Sequence, residues 1–122
     1  MKRSADLLAL LAALMGAGGV GLAAASTHSG GGDLGRTASE FLILHAAALI
    51  GVAANARGAS TARARGLLSV GGALALGASL FASDLSARAF LGAKLFPFAA
   101  PIGGSLMILS WIALGVVFAA TE

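Results

Sequence analysis

Histidine and carboxylate are the residue types in this 122-residue sequence that could move a proton or hold a metal ion, and it has two of the first and five of the second. His45 stands in an otherwise uncharged run, about one helical turn inside it and on the same helical face as Phe41. An ionisable group within an apolar span is a functional candidate by default. Two roles stay open for it: a proton relay, or a neutral imidazole hydrogen-bonded to a neighbouring helix. His28, Asp33 and Glu40 lie close together where the second run begins, an imidazole and two carboxylates that could face one ion. Zinc and iron sites show tighter ligand spacing with supporting partners, so no metal is expected there. Asp84 and Arg88, four residues apart, suit an i,i+4 ion pair on a short interfacial helix. No side chain is placed as a nucleophile with a paired base, and the absence of cysteine removes thiolate chemistry and Cys-based metal sites. The reading expects neither catalysis nor a cofactor.

Gly30, Gly32 and Gly35 fit the G-x-G-x-x-G spacing, and Gly30 through Thr37 resembles a phosphate-binding loop with Arg36 where lysine is usual. Such loops work between a strand and a helix, where backbone N–H groups cradle a phosphate. No strand is expected before Gly30, so a flexible connector is the expected role.

The elements that must position these residues follow from composition. Hydrophobic residues make up 58% of the chain and charged ones 11%, and the mean hydropathy is +0.94. A water-soluble domain of this size leaves much of its area exposed and needs more polar surface than that. The net charge of +3 does not point to nucleic acid, because the eight basic residues are scattered at the ends of apolar runs. Those runs predict an all-α integral membrane protein, one domain over 1–122, with four transmembrane helices in a compact bundle. The spans are placed at 7–25, 38–56, 66–83 and 96–120, each near the length of roughly 20 residues that crosses a bilayer. A competing reading makes the first run a cleavable signal peptide, with Lys2 and Arg3 before it and Ala23-Ala24-Ala25 before Ser26.

Lys2, Arg3, Arg57, Arg63 and Arg65 fall on one side of the four spans, and Arg36, Arg88 and Lys94 on the other. The excess of positive charge expects both termini in the cytoplasm of a bacterial inner membrane. Thr37-Ala38-Ser39-Glu40 has the spacing of a capping box at the start of the second helix. Pro97 is expected in the first turn of the fourth helix, and Pro101 is expected to start or kink it. Helices in lipid associate through small residues. Ala13, Ala17, Gly21 and Ala25 recur every four positions in the first helix, as do Ala47 and Gly51 in the second and Ser69, Ala73 and Gly77 in the third. Packing inside one bundle is the preferred reading of these stripes over a dimer interface. Trp111 falls mid-span and is expected to pack in the bundle or face lipid.

Leu80 through Leu85, Leu95-Phe96-Pro97, then Ala100-Pro101-Ile102-Gly103-Gly104 and Trp111 resemble the signature of small bacterial membrane proteins grouped as domain of unknown function 423. Gly21 to His28 at the end of the first helix, and Phe41, His45 and Ala46 to Leu49 in the second, resemble two further blocks of that family. Leu42 stands where glutamine is common, and Ala82-Ser83-Asp84 replaces a more usual Ser-Gly-Ser. The resemblance implies a four-helix inner-membrane protein with mitochondrial relatives and no established reaction. The expected role is a noncatalytic subunit that assists or assembles a larger membrane complex. Its alternative is an oligomeric small-solute or ion transporter, which lacks the carboxylate deep in the first helix on which small four-helix exporters depend. The lipid bilayer is the expected partner; oligomeric state is left open.

Overall fold

The structure is a computed structural model that describes residues 1–120. Four helices fill it: α1 (Lys2–His28), α2 (Gly32–Gly58), α3 (Thr61–Leu91) and α4 (Ala99–Ala120). At 1.5 Å per residue they are about 40, 40, 46 and 33 Å long. All four are long and apolar enough to cross a membrane, whose hydrocarbon layer is about 30 Å thick. The chain is an all-α, multi-pass membrane protein.

Short connections make consecutive helices antiparallel, and α1 packs along α2, α2 along α3 and α3 along α4. A smaller contact joins α1 to α3, and among the described residues the α4 backbone approaches neither α1 nor α2. α3 is therefore the common element of the bundle. Its length allows this, since it has buried residues from Ala64 to Ala87.

The buried face of α1 is Ala5, Leu8, Ala12, Met15 and Gly19. Steps of three and four residues keep these side chains on one seam, as in left-handed helix packing. The small-residue stripe expected to pack lies one residue out of phase with that seam. Ala13, Ala17 and Gly21 are exposed, and no atom of another element comes within 4 Å of where a Cβ on Gly21 would stand. Gly21 is thus not a packing residue of this bundle. Gly19 has that role, for a Cβ there would meet Ile43 at 2.7 Å. Ala47 and Gly51 also face outward. The third stripe behaves as expected at Gly77, where a Cβ would stand 3.0 Å from both the Gly103 carbonyl oxygen and the Met107 nitrogen.

Helix ends differ from the sequence reading in three places. α2 begins at Gly32, before Thr37, so Thr37 and Glu40 lie inside the helix and form no capping box. The reversal is completed earlier because Gly30 at φ +81° and Gly32 at φ +60° adopt backbone conformations closed to most side chains. The expected flexible connector is reduced to Ser29, Gly30 and Gly31. At the other end of the bundle Ser60 caps α3 by accepting a hydrogen bond from the Arg63 N–H at 3.3 Å. α3 then runs unbroken to Leu91 and ends on left-handed Gly92. Asp84 and Arg88 therefore sit in its last turns, not on a separate interfacial helix. Pro97 lies outside α4, since Phe98 takes a positive φ of 66° immediately before the helix. Pro101 does sit in the first turn, where its missing N–H has no intrahelical partner to lose.

Candidate functional site

His45 lies midway along α2, roughly 20 Å from either end, deeper than its expected position one turn inside. It is 3% exposed. Its Nδ1 is 2.7 Å from the Phe41 carbonyl oxygen one turn back, and its Nε2 is 3.1 Å from the indole nitrogen of Trp111. Indole N–H can only donate. Nε2 is therefore the acceptor, Nδ1 carries the proton and donates it to Phe41, and the ring that does both is uncharged. Phe41 stacks on the imidazole at 5.8 Å and meets Phe81 of α3 at 4.7 Å, while Trp111 approaches the imidazole edge-on at 5.8 Å. This cluster ties α2, α3 and α4 together. Trp111 reaches across to α2 where no backbone contact exists, and stays 43% exposed on its outer side.

A second polar site closes the end of the bundle that holds His28. Asp84 is 0% exposed, so His45 is not the chain's only buried titratable group. Its Oδ1 accepts the Leu95 N–H at 2.9 Å, and its Oδ2 is 3.0 Å from Arg88 Nε in an ion pair rather than an aligned hydrogen bond. The carboxylate holds the 92–98 connection against the side of α3. A buried carboxylate without such partners would be expensive. It satisfies a backbone donor that a loop beside apolar helices would otherwise leave open.

The remaining candidates are dispersed. His28 ends α1 and is exposed, and Glu40 is exposed on the outer face of α2. Asp33 pairs with Arg36 at 3.1 Å. Among the described residues no three His, Asp or Glu side chains come close enough to hold a metal ion, so His28, Asp33 and Glu40 form no joint site. Gly32 and Arg36 of the phosphate-loop resemblance line a cavity of about 290 Å³ with Ser26, Thr27 and Ser39, but two helices and a three-residue turn build it, and no strand occurs among the described residues. At the opposite end Arg57 pairs with Asp6, joining α2 to α1. Arg63 donates to the Phe118 carbonyl oxygen at 3.1 Å and lies 5.3 Å above its ring, fixing the last turn of α4.

The signature block of α4 has a clear geometric use. A Cβ on Gly103 would stand 2.8 Å from the Phe81 nitrogen and 2.9 Å from the Gly77 carbonyl oxygen, whereas one on Gly104 would meet only the Phe81 ring at 3.9 Å. Gly103 and Gly77 let α3 and α4 touch backbone to backbone, which brings Phe81 under Phe41. No solved structure matches the chain. The family described as protein of unknown function (DUF423) matches residues 15–104, a stretch that holds Gly19, His45, Asp84 and Gly103 together. The chain belongs to that family.

Proposed function

We propose that the protein is a noncatalytic accessory or assembly subunit of a larger complex in a bacterial inner membrane, with both termini in the cytoplasm. The observation that carries this reading is the outer face of α1 and α2. Ala13, Ala17, Gly18 and Gly21 on α1, and Ala47 and Gly51 on α2, are exposed, and the space beside Gly18, Gly21 and Gly51 is open. Leu10, Leu14 and Val20 on α1 and Leu44 and Ile50 on α2 are exposed beside them, and small residues between larger apolar ones let another helix approach closely and pack. The polar groups inside support the same reading. His45 spends both ring nitrogens on protein partners, and Asp84 holds a loop.

The orientation rests on Lys2, Arg3, Arg57, Arg63 and Arg65, which gather at the end of the bundle where α1 starts and α2 stops. The test is purification of the chromosomally tagged protein from membranes in mild detergent, followed by mass spectrometry. A stoichiometric set of other membrane subunits is expected; recovery of the chain without them contradicts the proposal. The alternative is an oligomeric transporter with exposed Glu40 as its charged group, and a homo-oligomer with no other subunit is the result that favours it.

A further inference from the structure

The connection between α3 and α4 is unlike the other two. Ser29 to Gly31 and Ala59-Ser60 are all small residues, whereas Phe90, Leu91, Leu95, Phe96 and Phe98 are all exposed at the third turn. Leu91 is 80% and Phe98 71% exposed. So dense an apolar display is not stable against water and marks a contact surface. Its level in the molecule says which. Asp84 pins the Leu95 N–H at 2.9 Å, and Asp84 lies roughly 10 Å short of the end of α3. The chain after Gly92 thus turns back down the bundle toward the hydrocarbon region. α4, about 33 Å long, is only just long enough to span that region, which would put Phe96 and Phe98 at its edge. Phe98 holds its outward position at a backbone φ of +66°, a conformation unfavourable to a side chain of its size.

Directly along α4 from that point runs a shallow, largely open apolar groove lined by Phe98, Pro101, Ile102, Ser105, Leu106 and Leu109. Lys94 is the one charged side chain of the connection. Exposed aromatic rings, an apolar groove running from them along α4, and a lysine four residues before Phe98 in the same connection complement one molecule, a phospholipid. We propose that the 92–98 connection lies in the membrane interface and that the groove headed by Phe98 holds a phospholipid acyl chain, with Lys94 meeting the phosphate.

The sequence has no cysteine, so single-cysteine variants can carry an environment-sensitive fluorophore without background labelling. Phe98→Cys and, with Phe98 left in place, Phe96→Cys would be compared with Ser29→Cys on the same side of the bundle. Each is reconstituted in vesicles of phosphatidylcholine and phosphatidylglycerol in equal parts, with plain or brominated acyl chains. Bromine should quench positions 96 and 98 roughly twofold or more beyond position 29, while aqueous iodide shows the reverse order. With only phosphatidylglycerol brominated, adding Lys94→Gln should lower the quenching at position 96. Iodide reaching 96 and 98 as readily as 29 would place the connection in water and overturn the proposal. Quenching unchanged by Lys94→Gln would overturn the role of Lys94.

Discussion

Both ring nitrogens of His45 have partners at a depth where no water is at hand to replace them. Trp111→Phe keeps the ring and removes the donor, and should lower stability in unfolding assays in detergent by about 1 kcal/mol, within the range of interhelical hydrogen bonds in membranes. His45→Ala removes both bonds and leaves a void, so its loss should be larger, about 2 kcal/mol or more. The double variant should cost little beyond His45→Ala, because Trp111 has already lost its acceptor. Fully additive losses would mean that the two side chains do not act on each other. A lone histidine in an apolar run singles itself out in the sequence. Its partner does not, since Trp111 is 66 positions away on a helix whose backbone never approaches α2. The burial of Asp84 was hidden for a different reason. Spacing of four to Arg88 suits an exposed pair as well as a buried one, and only the Leu95 N–H arriving from the next connection distinguishes them.

Gly103 and Gly104 are adjacent in the sequence and opposite in their demands. Gly103→Ala puts a methyl group against the Phe81 nitrogen and the Gly77 carbonyl, atoms of backbone that cannot rotate away. It should separate α3 from α4 at a cost of about 1–3 kcal/mol, as overpacking does. Gly104→Ala meets one ring at ordinary contact distance and should be neutral or slightly stabilising through its higher helix propensity. Thermal unfolding of the two variants in one detergent measures the difference; equal effects would contradict close contact at Gly103. Four long apolar helices were readable from hydropathy, because a bilayer demands uncharged runs of that length. Which small residues pack was not. In α1 a step of four every time drifts off the buried seam, while Ala5, Leu8, Ala12, Met15 and Gly19 stay on it. Local capping signals also misled at Thr37 and Glu40, where three residues ending in two glycines had already reversed the chain.

Across the whole molecule, the five basic residues Lys2, Arg3, Arg57, Arg63 and Arg65 gathered at one end predict that this end faces the cytoplasm. Reporter fusions at Ala59 should read as cytoplasmic and at Ser29 as periplasmic. The opposite pattern would overturn the orientation while leaving the fold intact. The arrangement around α3 leaves Ala13, Ala17, Gly21, Ala47 and Gly51 exposed on the outer surfaces of α1 and α2, the surface proposed to receive a partner helix. Gly51→Leu separates that surface from the fold, because its side chain would enter open space in the isolated chain and collide with any helix packed on α2. The measurement that bears most directly on the account is the native mass of the tagged protein in mild detergent, wild type beside Gly51→Leu. The account predicts a complex heavier than the chain's own oligomers for the wild type, and its loss in a Gly51→Leu protein that keeps its helicity and unfolding temperature. A wild-type mass explained by copies of this chain alone would contradict it.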